Sequence, residues 1–184
     1  MVHSVTNRLN FLFSVTLSTL FTCCAILAST SYVKSLVSPC QPTGKIFSTQ
    51  NLSPYTLWDP HPLLPTSRRH KHTVGIELNI QADFTQCMDW NTKQLFVYAV
   101  AEYETELYHR NEVTLWDTIV RNKKDAVFHV PRALEYRFQD IETGLVPGTN
   151  VTVRLKFHQM SHSGWTDMRY VADAETTFKM DPPK

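Results

Sequence analysis

From Leu9 to Val33 the chain carries no Asp, Glu, Lys or Arg. As a helix this stretch rises about 37 Å, enough to cross a hydrocarbon core of about 30 Å. The apolar region of a cleaved signal peptide usually runs only about 7–15 residues, so the length favours a retained anchor. Ser14, Thr16, Ser18, Thr19 and Thr22 interrupt the apolar run. Their hydroxyls can bond back to helix carbonyls, which makes them tolerable in lipid. The alternative is a cleaved signal peptide. Ala28, Ser29, Thr30 and Ser31 are small enough for it, but no A-x-A site follows a short apolar core. Charge does not orient the segment, because Arg8 on one side is balanced by Lys34 and Lys45 on the other.

The rest of the chain excludes several classes. The net charge of the 184 residues is +1, which gives no electrostatic case for a nucleic-acid partner. Five glycines are too few for a glycine-rich phosphate-binding fold. Of four cysteines, Cys23 and Cys24 lie in the apolar stretch, and only Cys40 and Cys87 lie beyond it. A Cys40–Cys87 bridge is allowed in an oxidising compartment, but sequence alone does not bring the two together.

Ser35–His72 has little regular pattern and six prolines. A short strand fits around Lys45–Ser48, and Ser53–His72 reads as an irregular loop. Its basic end, Arg68 to His72, fits a solvated loop tip better than a patch for phospholipid or RNA. His70 and His72 lack a neighbouring Cys or acid that would complete a metal site.

Strand periodicity then begins. Val74, Ile76, Leu78, Ile80 and Ala82 alternate with Gly75, Glu77, Asn79 and Gln81, the mark of a half-buried strand. Gln94–Thr105 is apolar on both faces and fits a central strand. In Glu112–Val120, Val113, Leu115 and Ile119 share a face that Asp117 breaks. Asp125–Val130 and Leu134–Phe138 are shorter candidates separated by Pro131. Asn150–Phe157 puts Val151, Val153, Leu155 and Phe157 inward, with Thr152, Arg154, Lys156 and His158 outward. Ala172–Met180 fits a last strand at the sheet edge. The expected fold is mainly β: an antiparallel β-sandwich preceded by one transmembrane helix.

No local sequence supports catalysis. There is no G-x-S-x-G, H-E-x-x-H or C-x-x-C. A triad assembled in space stays open as a hydrolase reading, with no local motif behind it. No cofactor or metal is implied. Trp116 fits core packing, since its strand is otherwise apolar. Trp90 sits in a polar connection and fits a packed corner or an interface anchor equally. Asn150-Val151-Thr152 is a glycosylation acceptor sequence at the start of a strand; Asn51-Leu52-Ser53 is another, weakened by Pro54.

The run Asp89–Tyr98, DWNTKQLFVY, with Ala101-Glu102-Tyr103 and Val113–Val120, VTLWDTIV, closely resembles subunit 3 of the eukaryotic signal peptidase complex. That family's pattern is roughly D-W-N-x-K-Q-L-F-x-Y, then A-E-Y, then V-x-L-W-D-x-I-V. The match is strong over Val74–Val120, moderate over Asn150–Phe157 and weak after Gln159. Pro54–His72 is longer and richer in proline than the family pattern. The resemblance implies a single-pass type II protein of the endoplasmic reticulum membrane with a lumenal C-terminal domain. It implies a non-catalytic subunit that supports a separate serine protease subunit and joins the other subunits of the complex. Among the motif positions, Trp90, Lys93, Gln94, Trp116 and Asp117 are the candidate interface residues, and Asn150 is the candidate glycan site. The expected division is 1–8 cytosolic, 9–33 membrane anchor, 34–72 proline-rich connection and 73–184 lumenal β domain. The competing reading is a secreted β-sandwich released by cleavage near Ser29–Ser31.

Overall fold

The apolar stretch forms one helix, α1 (Val5–Val37), four residues longer at each end than its uncharged part. Ser4 caps it by accepting the Asn7 N–H at 3.2 Å. Lys34 lies in its last turn, where the helix dipole favours a cation. Large apolar side chains are exposed all round it, from Leu9 and Phe11 to Val33 and Val37. A helix apolar on every side needs an apolar solvent. Thr16 donates to Leu12 O at 2.8 Å, Thr19 to Val15 O at 2.8 Å and Thr22 to Ser18 O at 2.8 Å. These threonine hydroxyls are thus satisfied within the helix itself.

The computed structural model describes residues 4–49, 55–57, 71–106, 108–139 and 148–180. The expectations for Asn51 and for residues 58–70 of the Ser53–His72 loop lie outside them. The described parts of that loop are not irregular, because Tyr55–Leu57 and Lys71–Val74, which includes the last two residues of the basic run, are strands. Among the described residues there are ten strands. They are β1 (Thr43–Thr49), β2 (Tyr55–Leu57), β3 (Lys71–Val74), β4 (Glu77–Asp83), β5 (Thr92–Tyr103), β6 (Asn111–Val120), β7 (Val127–Ala133), β8 (Phe138–Gln139), β9 (Asn150–Ser161) and β10 (Thr166–Lys179). Seven form one sheet in the order β6-β5-β9-β10-β1-β4-β7, and β2-β3-β8 form a small second sheet.

The mainly β fold with an N-terminal apolar helix is as expected, and the larger sheet is a curled, mixed one. The mixture comes from β1, which pairs with β10 in parallel, Thr43 opposite Ala172. Its other neighbour, β4, runs antiparallel. Gly44 permits the close approach: a Cβ there would lie 3.0 Å from Val171 Cγ1 and 3.3 Å from Gln81 O.

The core lies on the inner face of this sheet. Val97 faces Phe157, Ala99 faces Leu155 and Ala101 faces Val153, all fully buried. Small residues on β5 oppose larger ones on β9, which fills the layer evenly. Phe84 closes it, edge-on to Phe157 at 5.3 Å.

Five expectations change in detail. The alternating run from Val74 is divided at Gly75-Ile76, where the chain leaves the small sheet and enters the large one. β5 is paired on both sides, but its second face is only half covered at Phe96 and Tyr98. In β6 the pairing steps from Ala99–Trp116 to Val100–Thr114, skipping Leu115. This bulge buries both Leu115 and Trp116 and turns Ile119 outward, 45% exposed. β7 continues through Pro131 at the sheet edge, where its pairing with β4 shifts register between Val130 and Ala133. β10 is interior, because β1 covers the side expected to be an edge.

Candidate functional site

Two polar arrangements stand out from the core, both built on β5, β9 and β10. The first joins the helix to the sheet. Ser31 is the only buried residue of α1. Its hydroxyl donates to Leu27 O at 2.9 Å and receives the Asn91 amide at 2.6 Å and the Ser163 hydroxyl at 2.9 Å. One turn on, Lys34 pairs with Asp89. Ser35 donates to Asp167 at 2.8 Å, and Arg169 donates to the Ser35 carbonyl at 3.0 Å while pairing with Asp167. Tyr32 packs edge-on against Trp165 at 5.1 Å.

The helix is therefore clasped at residues 31, 32, 34 and 35 by the turn before β5 and by the hairpin of β9 and β10. Cys40 and Cys87 are bridged just beyond, with Cα atoms 5.1 Å apart. The Gln159 amide adds bonds to Cys87 O at 3.0 Å and Thr92 Oγ1 at 2.9 Å. A cleft of about 190 Å³ remains inside this clasp. Burial pushes the Asp89 carboxyl up, but bonds from Lys34, the Asn91 N–H and Thr92 outweigh it and hold Asp89 below the usual carboxylate range.

The second arrangement covers the outer face of the sheet. The pairing registers set Asp117, Tyr98, Lys156 and Tyr170 in one row and Ile119, Phe96, His158 and Met168 in the next. Lys156, expected to point into solvent, is 1% exposed. Its ammonium lies 2.9 Å from Glu102 and 2.9 Å from Glu112, and 4.9 Å from the Tyr170 ring centroid. Burial lowers the Lys156 pKa, and the two carboxylates more than reverse this, so it stays raised. Tyr98 stacks on Phe96 at 5.2 Å and on His158 at 5.6 Å. A charged centre is thus ringed by aromatic side chains on a firm surface. Met168 and Tyr170 stay 46% and 44% exposed, so the face is open to a partner.

The candidate residues divide between these places. Trp90 lies at the clasp, between Asp89 and Asn91, and is 72% exposed. Lys93 is exposed, and Gln94 is half-buried with its amide 3.2 Å from Met160 Sδ. Asp117 is half-buried on the outer face of β6. Trp116 is 8% exposed and packs against Phe128 at 5.9 Å, inside the core. Asn150 opens β9 with an exposed side chain, opposite Lys179. Among the described residues no group of three His, Cys, Asp or Glu side chains is placed to hold a metal.

A family model described as "Signal peptidase subunit" matches residues 2–183, helix and sheet alike. The chain belongs to the signal peptidase subunit family. Three proteins named signal peptidase complex subunit 3 illustrate the relation. The Caenorhabditis elegans protein is 28% identical over 165 residues, 89% of this chain and 87% of its own length. The Saccharomyces cerevisiae protein is 37% identical over 89 residues, 48% of each chain. The Homo sapiens protein is 37% identical over 101 residues, 54% of this chain and 56% of its own, so these two alignments span about half of each protein.

The family motif now acquires structural meaning. Asp89 and Asn91 of the DWN run hold α1, while Leu95 and Val97 of the QLFVY run build the core. Glu102 of the AEY run is a partner of Lys156. Sequence reasoning missed Ser31, Lys156, Arg169 and Tyr170. Each looks ordinary in its own segment, and its partners lie on other elements. The one available signal was Lys156 itself, flanked on its strand by Leu155 and Phe157.

Proposed function

We propose that this chain is the non-catalytic accessory subunit of a signal peptidase complex in the endoplasmic reticulum membrane. In this reading α1 is a retained type II anchor, the β domain is lumenal, and the serine protease activity resides on another subunit. Family membership across residues 2–183 is the observation that carries it.

The physical role is positioning. A domain on a loose linker would sample many heights above the bilayer. Here the clasp at Ser31, Lys34 and Ser35 couples helix to sheet, so the sheet's place relative to the membrane is set by the helix. The outer face around Tyr98, Lys156 and Tyr170 is then the surface offered to the protease subunit, with Asp117 and Gln94 at its margins and Lys93 beside it. A shared membrane raises effective concentration, so a modest interface suffices. Retention of the anchor is supported by Ser31. It lies within Ser29–Ser31, the segment that release of a secreted domain would require to be cut, and is buried under the domain, away from a protease.

The test is recovery through an N-terminal tag in mild detergent, followed by identification of the co-purifying chains. The full-length chain with a signal-peptidase serine protease is expected. A short N-terminal fragment alone would favour the secreted domain, and a full-length chain without the protease would remove the accessory role.

A further inference from the structure

We infer that the β domain rests directly on the lumenal leaflet, with Trp90 and Trp165 seated at the level of the phospholipid headgroups. This rests on the reading of α1 as a membrane span. Counted from Arg8, a hydrocarbon core of about 30 Å takes about 20 residues and ends near Ala28. Ser31 then stands about 5 Å and Lys34 about 9 Å beyond the core, across the headgroup layer.

Trp90 is bracketed at this level. Its predecessor Asp89 pairs with Lys34, and its successor Asn91 bonds Ser31 at 2.6 Å. The indole between them is 72% exposed, the most exposed large apolar side chain of the β domain among the described residues. Trp165 is held at the same level by Tyr32 and is 45% exposed, and Tyr32 is 46% exposed. Two indoles and a phenol thus stand at the level where the helix leaves the hydrocarbon. Trp and Tyr favour this boundary because their rings are apolar and their N–H and O–H groups polar. The continuity of these side chains with the spanning helix identifies the lipid surface as what covers them.

The experiment uses the full chain in phosphatidylcholine vesicles carrying bromine on the acyl chain, either near the headgroup or deep. Resistance to alkaline carbonate is checked first. Shallow bromine should quench the wild type more than deep bromine does. Trp90→Phe should remove roughly a third or more of the quenched emission, and Trp165→Phe a further part, as an interfacial position requires. A carbonate-resistant chain whose quenching is unchanged by either substitution overturns this inference alone. So does a chain whose Trp90 and Trp165 emission responds only to a water-soluble quencher, or to neither quencher. Extraction by carbonate would overturn the membrane span as well.

Discussion

Asn91 donates its side-chain amide to the Ser31 hydroxyl at 2.6 Å, across sixty residues of sequence. The bond ties the turn before β5 to the last turns of the helix. Asn91→Ala is expected to cost about 1 kcal/mol, the usual worth of such a bond. Ser31→Leu should do more, because a large side chain cannot enter the space the hydroxyl occupies. Thermal unfolding in detergent, with amide exchange over residues 31–38, checks both. Faster exchange there with an intact sheet is the expected pattern.

The disulfide Cys40–Cys87 closes a loop of 47 residues between helix exit and core. Its removal should cost about 2–4 kcal/mol, chiefly by freeing the unfolded chain. Cys40→Ser with Cys87→Ala should lower the Tm, and reductant should then have no further effect on it. An equal Tm with and without reductant in the wild type would contradict a bridge.

Lys156 balances two carboxylates on a sheet face. Lys156→Met should destabilise by about 2 kcal/mol, less than a fully buried pair, because Arg110 and Arg154 still meet Glu112 and Glu102. Adding Glu102→Gln and Glu112→Gln should recover most of it. For the pH dependence, burial raises the Glu112 carboxyl pKa but Lys156 and Arg110 outweigh it, so its folded value lies below 4.5. That contribution is present above the ordinary value and is lost as pH falls through the lowered one. Lys156 is raised above 10.5, so its contribution is present below that value and lost as pH rises through the folded one. Urea midpoints across the acid range should fall less steeply in the triple variant.

Gly44 tests the parallel pairing of β1 with β10. Gly44→Val should cost about 2 kcal/mol by overpacking against Val171 and the Gln81 carbonyl. Denaturant midpoints measure it. A neutral outcome would mean that the two strands do not approach so closely.

Asn150 reports topology. Expressed in cells, the chain should run with the added mass of one glycan that an endoglycosidase removes, and Asn150→Gln should abolish the shift. The exposed position at the start of β9 permits access. Absence of any glycan on the full-length chain would argue against a lumenal β domain.

The apolar helix was legible because twenty-five uncharged residues leave few other structures open to them. The strands β4 and β9 were legible because each has one face on the core and so alternates. The clasp was not, because a serine in a helix, an asparagine in a turn and an arginine in a strand carry no mark of one another. The inward turn of Trp116 beside Leu115 was hidden because a bulge shifts the side-chain period without leaving a sign in the residues.

The sequence by itself determined a membrane-length helix, a mainly β domain and the family, since local periodicity and an extended motif suffice for these. Only the tertiary structure decided that β1 enters beside β10, that Lys156 is buried and that the helix is held at Ser31. Those outcomes depend on which distant segments meet, and packing of the whole chain selects them.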